Sequence, residues 1–342
     1  MTKTNPGYFF EDYSVGQVIH HATPRTLNAG DVAMYQSLYG PRFSLQSSNM
    51  VAQSVGFTDL PVDDLITFHT VFGKTVPDIS LNAVANLGYA EGRFPRRGSI
   101  GMTLSSESEV IGLKENSNGK TGIVWVRTHG SDASGNTVLD YVRWVMVRKR
   151  DVSAPAPTPV VPTLATAVTA EDLIVPEDLD FSAYDTRASG EPHLWGDYQV
   201  GEIIDHVDGV TLTDPEHMMA TRLWQNTAKV HFDVTARPDG NRLIYGGHII
   251  SMARALSFNG LANAQLLAAI NAGAHANPAM AGDTIRAWSE VLDTAETSNP
   301  RLGALRLRLV ATKGAPGALR GEDGKYLPEV LLDLDYWAFI PR

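Results

Sequence analysis

The sequence predicts an α+β protein built from two tandem copies of one unit, each a long helix wrapped by an antiparallel sheet. The first observation behind this is a repeat. Phe10, Asp12, Tyr13, Val15 and Gly16 return as Trp195, Asp197, Tyr198, Val200 and Gly201, an offset of 185 that also carries His21 onto His206 and Thr26 onto Thr211. Two further blocks stay collinear: Ser108, Glu109 and Val110 recur as Ser289, Glu290 and Val291, and Leu139, Asp140 and Trp144 recur as Leu332, Asp333 and Trp337. Second, the periodicity runs in the same order in each copy, helical first and strand-like after. Third, 342 residues fit two domains of ordinary size.

In the first copy, residues 31–40 place Val32, Tyr35, Gln36 and Tyr39 at helical spacing, and residues 216–225 are their counterpart. Residues 62–76 and 247–261 read as longer helices entered through a turn. Strand-like runs follow at 103–113, 122–129 and 138–147, with Asn118 and Gly119 marking a hairpin between the first two. The second copy repeats them at 284–292, 305–311 and 329–340. Between the copies, Pro155, Pro157, Pro159 and Pro162 make an extended, semi-rigid connector. The acidic, turn-rich stretch 171–190 is expected to lie across the surface of one copy. The copies are therefore placed at 1–151 and 191–342, with a linker at 152–190.

Composition narrows the chemistry. The chain has no cysteine, which removes thiol nucleophiles, thiolate zinc sites, iron–sulfur clusters and disulfides. A net charge of −10 argues against a duplex nucleic-acid partner, which requires a basic face. The longest apolar stretch, residues 261–274, is broken by Asn263, Gln265 and Asn271 and falls short of the roughly 20 residues of a membrane span. Residues 1–6 are polar and read as no secretory signal, so no membrane association is expected and the cytoplasm is the expected compartment. There is no Gly-x-Ser-x-Gly elbow, phosphate-binding loop or dinucleotide fingerprint. Gly119, Lys120 and Thr121 mimic the end of a phosphate loop, but Lys114 stands where its first glycine belongs. The ten histidines show no ligand spacing, and the adjacent His20 and His21 point to opposite sides of a strand, so no metal site is expected.

One cluster has chemical promise: the loop from Gln225 to Asp233, which contains Asn226, His231 and Asp233. A histidine there can serve as general acid or base near neutral pH, or simply cap a turn. The repeat favours chemistry, because His231, Asn226 and Asp233 align with Gln46, Pro41 and Ser48 of the first copy. Gly246 and Gly247 open the long helix. Their amides can polarise a carbonyl oxygen at the positive end of the dipole, or the pair can serve as a tight turn. Arg254 lies two turns further on among apolar residues; it either snorkels to solvent or faces inward to bind a substrate carboxylate.

With these residues in view, the chain resembles the MaoC-type (R)-specific enoyl-CoA hydratases, which have a double hotdog fold. Their signature loop runs Asp, any residue, Asn, Pro, apolar, His, any residue, Asp. Here Asn226 and His231 have its five-residue spacing, Asp233 follows by two, and Tyr245-Gly246 resembles the family's His-Gly at the helix start. Residues 72–93 and 110–127 are similar to the mesaconyl-CoA hydratases, or β-methylmalyl-CoA dehydratases, within that group. The resemblance implies a hydro-lyase acting on a branched dicarboxylic acyl-CoA, as in the ethylmalonyl-CoA pathway or the 3-hydroxypropionate cycle. It implies no cofactor, since coenzyme A arrives with the substrate; the expected assembly is a homodimer. His231 becomes the principal acid–base, Asn226 positions water and Gly246 and Gly247, with Tyr245 beside them, hold the thioester carbonyl. Arg254 would anchor the distal carboxylate. Asn226 stands where the family has aspartate, so Asp233 is the nearest source of a second carboxylate. The alternatives are an acyl-CoA thioesterase and a non-catalytic acyl-CoA-binding protein.

Overall fold

Alternating burial along most of the chain's strands folds them into one continuous antiparallel sheet with one face held against helices. The computed structural model describes residues 3–315 and 317–342. Its strands are β1 (Val18–Thr26), β2 (Ala83–Arg93), β3 (Thr103–Glu115), β4 (Thr121–Ser131) and β5 (Thr137–Arg148) in the first half. The second half supplies β6 (Ile203–Thr211), β7 (Leu266–His275), β8 (Thr284–Glu296), β9 (Leu302–Lys313) and β10 (Val330–Pro341). Their spatial order is β1-β3-β4-β5-β2-β7-β10-β9-β8-β6. The order of the second five mirrors that of the first, and the halves join where β2 pairs antiparallel with β7, Tyr89 opposite Gly273 and Arg93 opposite Ala269. This is the α+β, double-hotdog architecture the sequence predicts.

The helices are α1 (Ala29–Tyr39), α2 (Ser44–Ser47), α3 (Asn49–Ser54), α4 (Asp64–Thr75), α5 (Asp214–Leu223), α6 (Gly246–Leu256) and α7 (Phe258–Leu261). Every residue of α4 is buried, as is all of α6 after Gly246. A helix buried on all sides must satisfy its polar side chains internally. Here His69 of α4 meets Ser251 of α6, Nε2 to Oγ at 2.8 Å. The helix expected over 247–261 is broken near its end. Asn259 and Gly260 leave helical geometry, Gly260 at φ +95°. Their carbonyls accept from His206 Nδ1 at 2.7 Å and from the Tyr198 hydroxyl at 2.9 Å, which holds the chain out of the helix.

The repeat extends to single hydrogen bonds. His21 and His206 each place Nε2 2.8 Å from a serine Oγ, of Ser108 and Ser289, and Thr26–Thr103 and Thr211–Thr284 pair their hydroxyls at 2.7 Å. Each copy also opens on a short turn closed by an aspartate, Asp12 accepting from the Phe9 amide and Asp197 from that of Leu194.

Residues 149–202 contain no strand longer than the single bridge between Val160 and Leu113. The acidic stretch does lie on the surface, yet it spans both halves. Leu173, Leu179 and Phe181 are buried against Leu45 and Val51 of the first half and Trp337 and Phe339 of the second. Among the described residues no helix is long and apolar enough to cross a membrane.

Candidate active site

A cavity of about 360 Å³ opens where the start of α6 meets the end of β7, the start of β2 and the end of α4. Its size suits a small acyl group. The first half provides one wall through Phe72, Val76, Ser80, Asn86 and Tyr89; the second provides the other through Asn226, His231, Tyr245, Gly246 and His275. The site is composite.

The loop bearing Asn226 and His231 is pinned from several sides. Gln225 takes a left-handed conformation, φ +55°, which is strained for a residue with a Cβ. It is held there by the Asn226 amide donating to the Thr221 carbonyl at 3.1 Å and by Lys74 of α4, whose ammonium reaches Gln225 Oε1 at 3.4 Å. Gly73 of α4 lies directly against the Trp224 carbonyl: a Cβ there would sit 1.7 Å from that oxygen. The first half thus seats the loop that carries the second half's polar groups.

His231 is 8% exposed. Its Nδ1–H donates to the Leu243 carbonyl at 2.7 Å, which leaves Nε2 as the basic nitrogen. No protein group among the described residues bonds Nε2, and the ring lines the cavity. Burial pushes its pKa down to about 4, so the ring is neutral at pH 7. Asn226 uses Oδ1 to accept from the Ala228 amide at 3.0 Å, which leaves its amide NH₂ for the cavity. Gly246 lines the cavity at the start of α6, where its own amide and that of Gly247 have no partners among the described residues, while the His248 amide bonds the Tyr245 carbonyl at 2.9 Å. Gly247 is buried just behind, its Cα against the Tyr245 ring. Tyr245 packs edge-on to His231 at 5.6 Å between centroids and directs its hydroxyl to His69 Nδ1 at 3.3 Å.

Two of the expected site residues lie elsewhere. Asp233 is exposed and accepts from both the amide and the hydroxyl of Thr235, capping a short turn rather than facing the cavity. Asp233→Asn is accordingly expected to leave kcat within about three-fold and to lower stability by no more than ~1 kcal/mol, as for loss of a surface cap. Parallel kinetic and thermal-unfolding measurements check this, and a hundred-fold loss of kcat would return Asp233 to the site. Arg254 does face inward, being 3% exposed, but away from the cavity. Its guanidinium stacks on Phe43 at 3.7 Å, donates to Ser257 Oγ at 3.0 Å and bonds the Ala264 carbonyl.

That position is informative because Phe43 belongs to the first copy's equivalent site. Pro41 and Gln46, the counterparts of Asn226 and His231, border a cleft of about 10 Å³ together with Phe43 and Asp63. Such a space holds at most about one water. Gln46 donates to the Gln265 carbonyl at 3.0 Å, tying up its amide nitrogen. The first site is therefore nearly closed, and Arg254 packs on Phe43, one of the residues that border it.

His275, Tyr89, Asn86 and Ser80 line the cavity without having been singled out in the sequence. For His275 the available signal was its place at the end of an apolar run just before Asn277 and Pro278, where a buried strand leaves the core.

Buried neutral histidines also set the acid stability. Burial pushes His206, His231 and His275 down to about 4, and His69 and His248 to about 3. Below pH 6.5 the unfolded chain binds protons that the folded chain refuses until these lower values are reached, so stability falls as pH drops from 7 toward 4. Asp63 works in the opposite sense, its burial raising it to about 6, but it is one group against five. Thermal midpoints measured at pH 7 and pH 5 are expected to be lower at pH 5; an unchanged midpoint would mean these rings are not neutral in the fold.

The family model for mesaconyl-CoA hydratase matches residues 1–315. The chain is 67% identical over 342 residues to mesaconyl-CoA hydratase of Cereibacter sphaeroides, covering 99% of this chain and 100% of the relative. It is 56% identical to β-methylmalyl-CoA dehydratase of Chloroflexus aurantiacus, covering 99% of each. Among solved structures, it superposes on a MaoC domain protein dehydratase from Chloroflexus aurantiacus with a TM-score of 0.97 at 56% identity, covering 100% of this chain and 99% of that one. A double-hotdog protein from Mycobacterium tuberculosis aligns with a TM-score of 0.76 at 25% identity, covering 98% and 99%. Likeness along nearly the whole chain leads to one assignment: the chain belongs to the mesaconyl-CoA hydratase family.

Proposed function

We propose that this chain is a hydro-lyase that reversibly adds water to mesaconyl-CoA, forming β-methylmalyl-CoA. The observation that carries the mechanism is His231, tied through Nδ1 to Leu243 and open at Nε2 to a cavity that also receives the start of α6. In the hydration direction, Nε2 takes a proton from a water positioned by the Asn226 amide. The hydroxyl bonds to the β-carbon, which bears the free carboxylate, and the π electrons move onto the thioester oxygen. The unpaired amides of Gly246 and Gly247 at the start of α6, Gly246 foremost, stabilise that enolate oxygen. The His231 imidazolium then returns its proton to the α-carbon, which restores the base and completes the addition. Each step uses proton transfer and charge stabilisation, so the reading calls for no metal and no cofactor beyond the coenzyme A of the substrate. Arg237, the one arginine or lysine among the described residues that line the cavity, is paired with Asp239 and supplies charge for the anionic substrate.

The proposal extends to a cytoplasmic enzyme that assembles as a homodimer, the latter tested by light scattering in solution. For the reaction, loss of enoyl-thioester absorbance is followed with mesaconyl-CoA and with crotonyl-CoA. A strong preference for mesaconyl-CoA is the expected result. Equal rates would demote the branched dicarboxylate as substrate, and release of free coenzyme A would make the chain a thioesterase.

A further inference from the structure

We propose that His275 is a catalytic hydrogen-bond donor of this site, holding its Nδ1–H on the thioester oxygen beside the Gly246 amide. The inference rests on the hydration reading above and adds to it a residue from the end of β7.

The His275 ring lies against the Cα of Gly246. A Cβ on Gly246 would come within 2.5 Å of Cε1 and 2.6 Å of Nδ1, which explains a glycine at this position and places Nδ1 next to the helix start. The opposite nitrogen, Nε2, is 3.1 Å from the Tyr89 hydroxyl. Tyr89 is buried, and burial raises its pKa, so the phenol keeps its proton. The Asn86 side chain also lies beside that hydroxyl and favours the phenolate, as an amide N–H facing the oxygen does, which leaves His275 Nε2 as the acceptor for the O–H. A buried O–H left without an acceptor is costly, so Tyr89 donates to Nε2 and the ring carries its hydrogen on Nδ1. Nδ1 has no partner among the described residues, and the ring is part of the cavity wall.

The ring is suited to donation without proton transfer. Burial and the neighbouring His231 push His275 down to about 4, so it is a neutral imidazole at pH 7. It stabilises the enolate by a hydrogen bond while its proton stays on nitrogen, leaving the proton transfers to His231. Tyr89, from the first half, is a positioning residue that fixes the tautomer.

The test uses two variants and two readouts. For His275→Gln, kcat for mesaconyl-CoA hydration is expected to fall about 10²-fold, with KM within about three-fold, as for loss of one oxyanion donor. Tyr89→Phe, which removes one oxygen, is expected to lose about 10-fold in kcat at a similar KM, and it decides the matter should His275→Gln fail to fold. The second readout is a bound dienoyl-CoA, whose absorption moves to longer wavelength as its carbonyl is polarised. The shift should shrink in both variants, which a merely structural role would not produce. Retained kcat in both variants, or an undiminished spectral shift, overturns the proposal. Because the shift needs no turnover, it reads His275 even if the wild-type chain fails to hydrate mesaconyl-CoA, an outcome that would instead overturn the assigned reaction.

Discussion

Replacing His231 with glutamine is expected to lower kcat for mesaconyl-CoA hydration about 10³-fold, within the range general acid–base catalysis supplies. The fold should survive, since Gln46 occupies the equivalent slot of the first copy and is buried and hydrogen-bonded there. Glutamine can reproduce contact with the Leu243 carbonyl but has no basic nitrogen to accept a proton from water. The wild-type ring, neutral down to about pH 4, should keep hydration running well below neutrality until its protonation removes the base. The residual rate of the variant should lose that acidic limb. Steady-state kinetics across pH, together with thermal unfolding, check both parts, and a variant turning over at the wild-type rate would remove His231 from the mechanism.

Gly73→Ala is the second large effect, and its sign runs against helix propensity. In an exposed helix interior, alanine would stabilise by about 1 kcal/mol. Here the new methyl would sit 1.7 Å from the Trp224 carbonyl oxygen and 2.8 Å from its carbon, both of them backbone. Neither the buried helix α4 nor the loop can yield without moving the other. Overpacking of this kind costs about 1–3 kcal/mol or more, so a net loss of ~3 kcal/mol is expected. Activity should fall as well, because Trp224 directly precedes Gln225 and Asn226. Chemical denaturation and kcat are the measurements; an unshifted midpoint would show that α4 and the loop separate freely.

The repeat, the two long helices and the strands β3, β4, β5, β8, β9 and β10 were legible in the sequence because their apolar positions keep regular periods. The central strands β2 and β7 were not. β7 is buried on both faces for most of its length, so it shows an apolar run without alternation. β2 carries Gly88 and Gly92, which weaken a strand pattern. The fold needs both: a Cβ on Gly88 would meet the Trp144 ring at 2.3 Å, and one on Gly92 would meet Ile270 at 2.9 Å. Missing these strands also hid His275 and Tyr89, which they carry.

In the candidate site, the spacing of Asn226 and His231 was readable because a single loop holds both. Asp233 was misplaced for a local reason: alternation puts residues two apart on one side only in an extended segment, and the chain here turns twice through short helical turns. Arg254 was legible as an inward-facing arginine, but its neighbour Phe43 is distant in sequence, and only the tertiary fold shows which of the two sites it serves.

The join between β2 and β7 has a consequence for how the protein can be used. Both walls of the cavity belong to one covalent chain, so their encounter is intramolecular and does not weaken on dilution. Specific activity should therefore be constant down to the lowest assayable enzyme concentration, whatever larger assembly the chains form. With the first site closed, ligand titration should saturate at one equivalent per chain, half of what the repeat alone would offer.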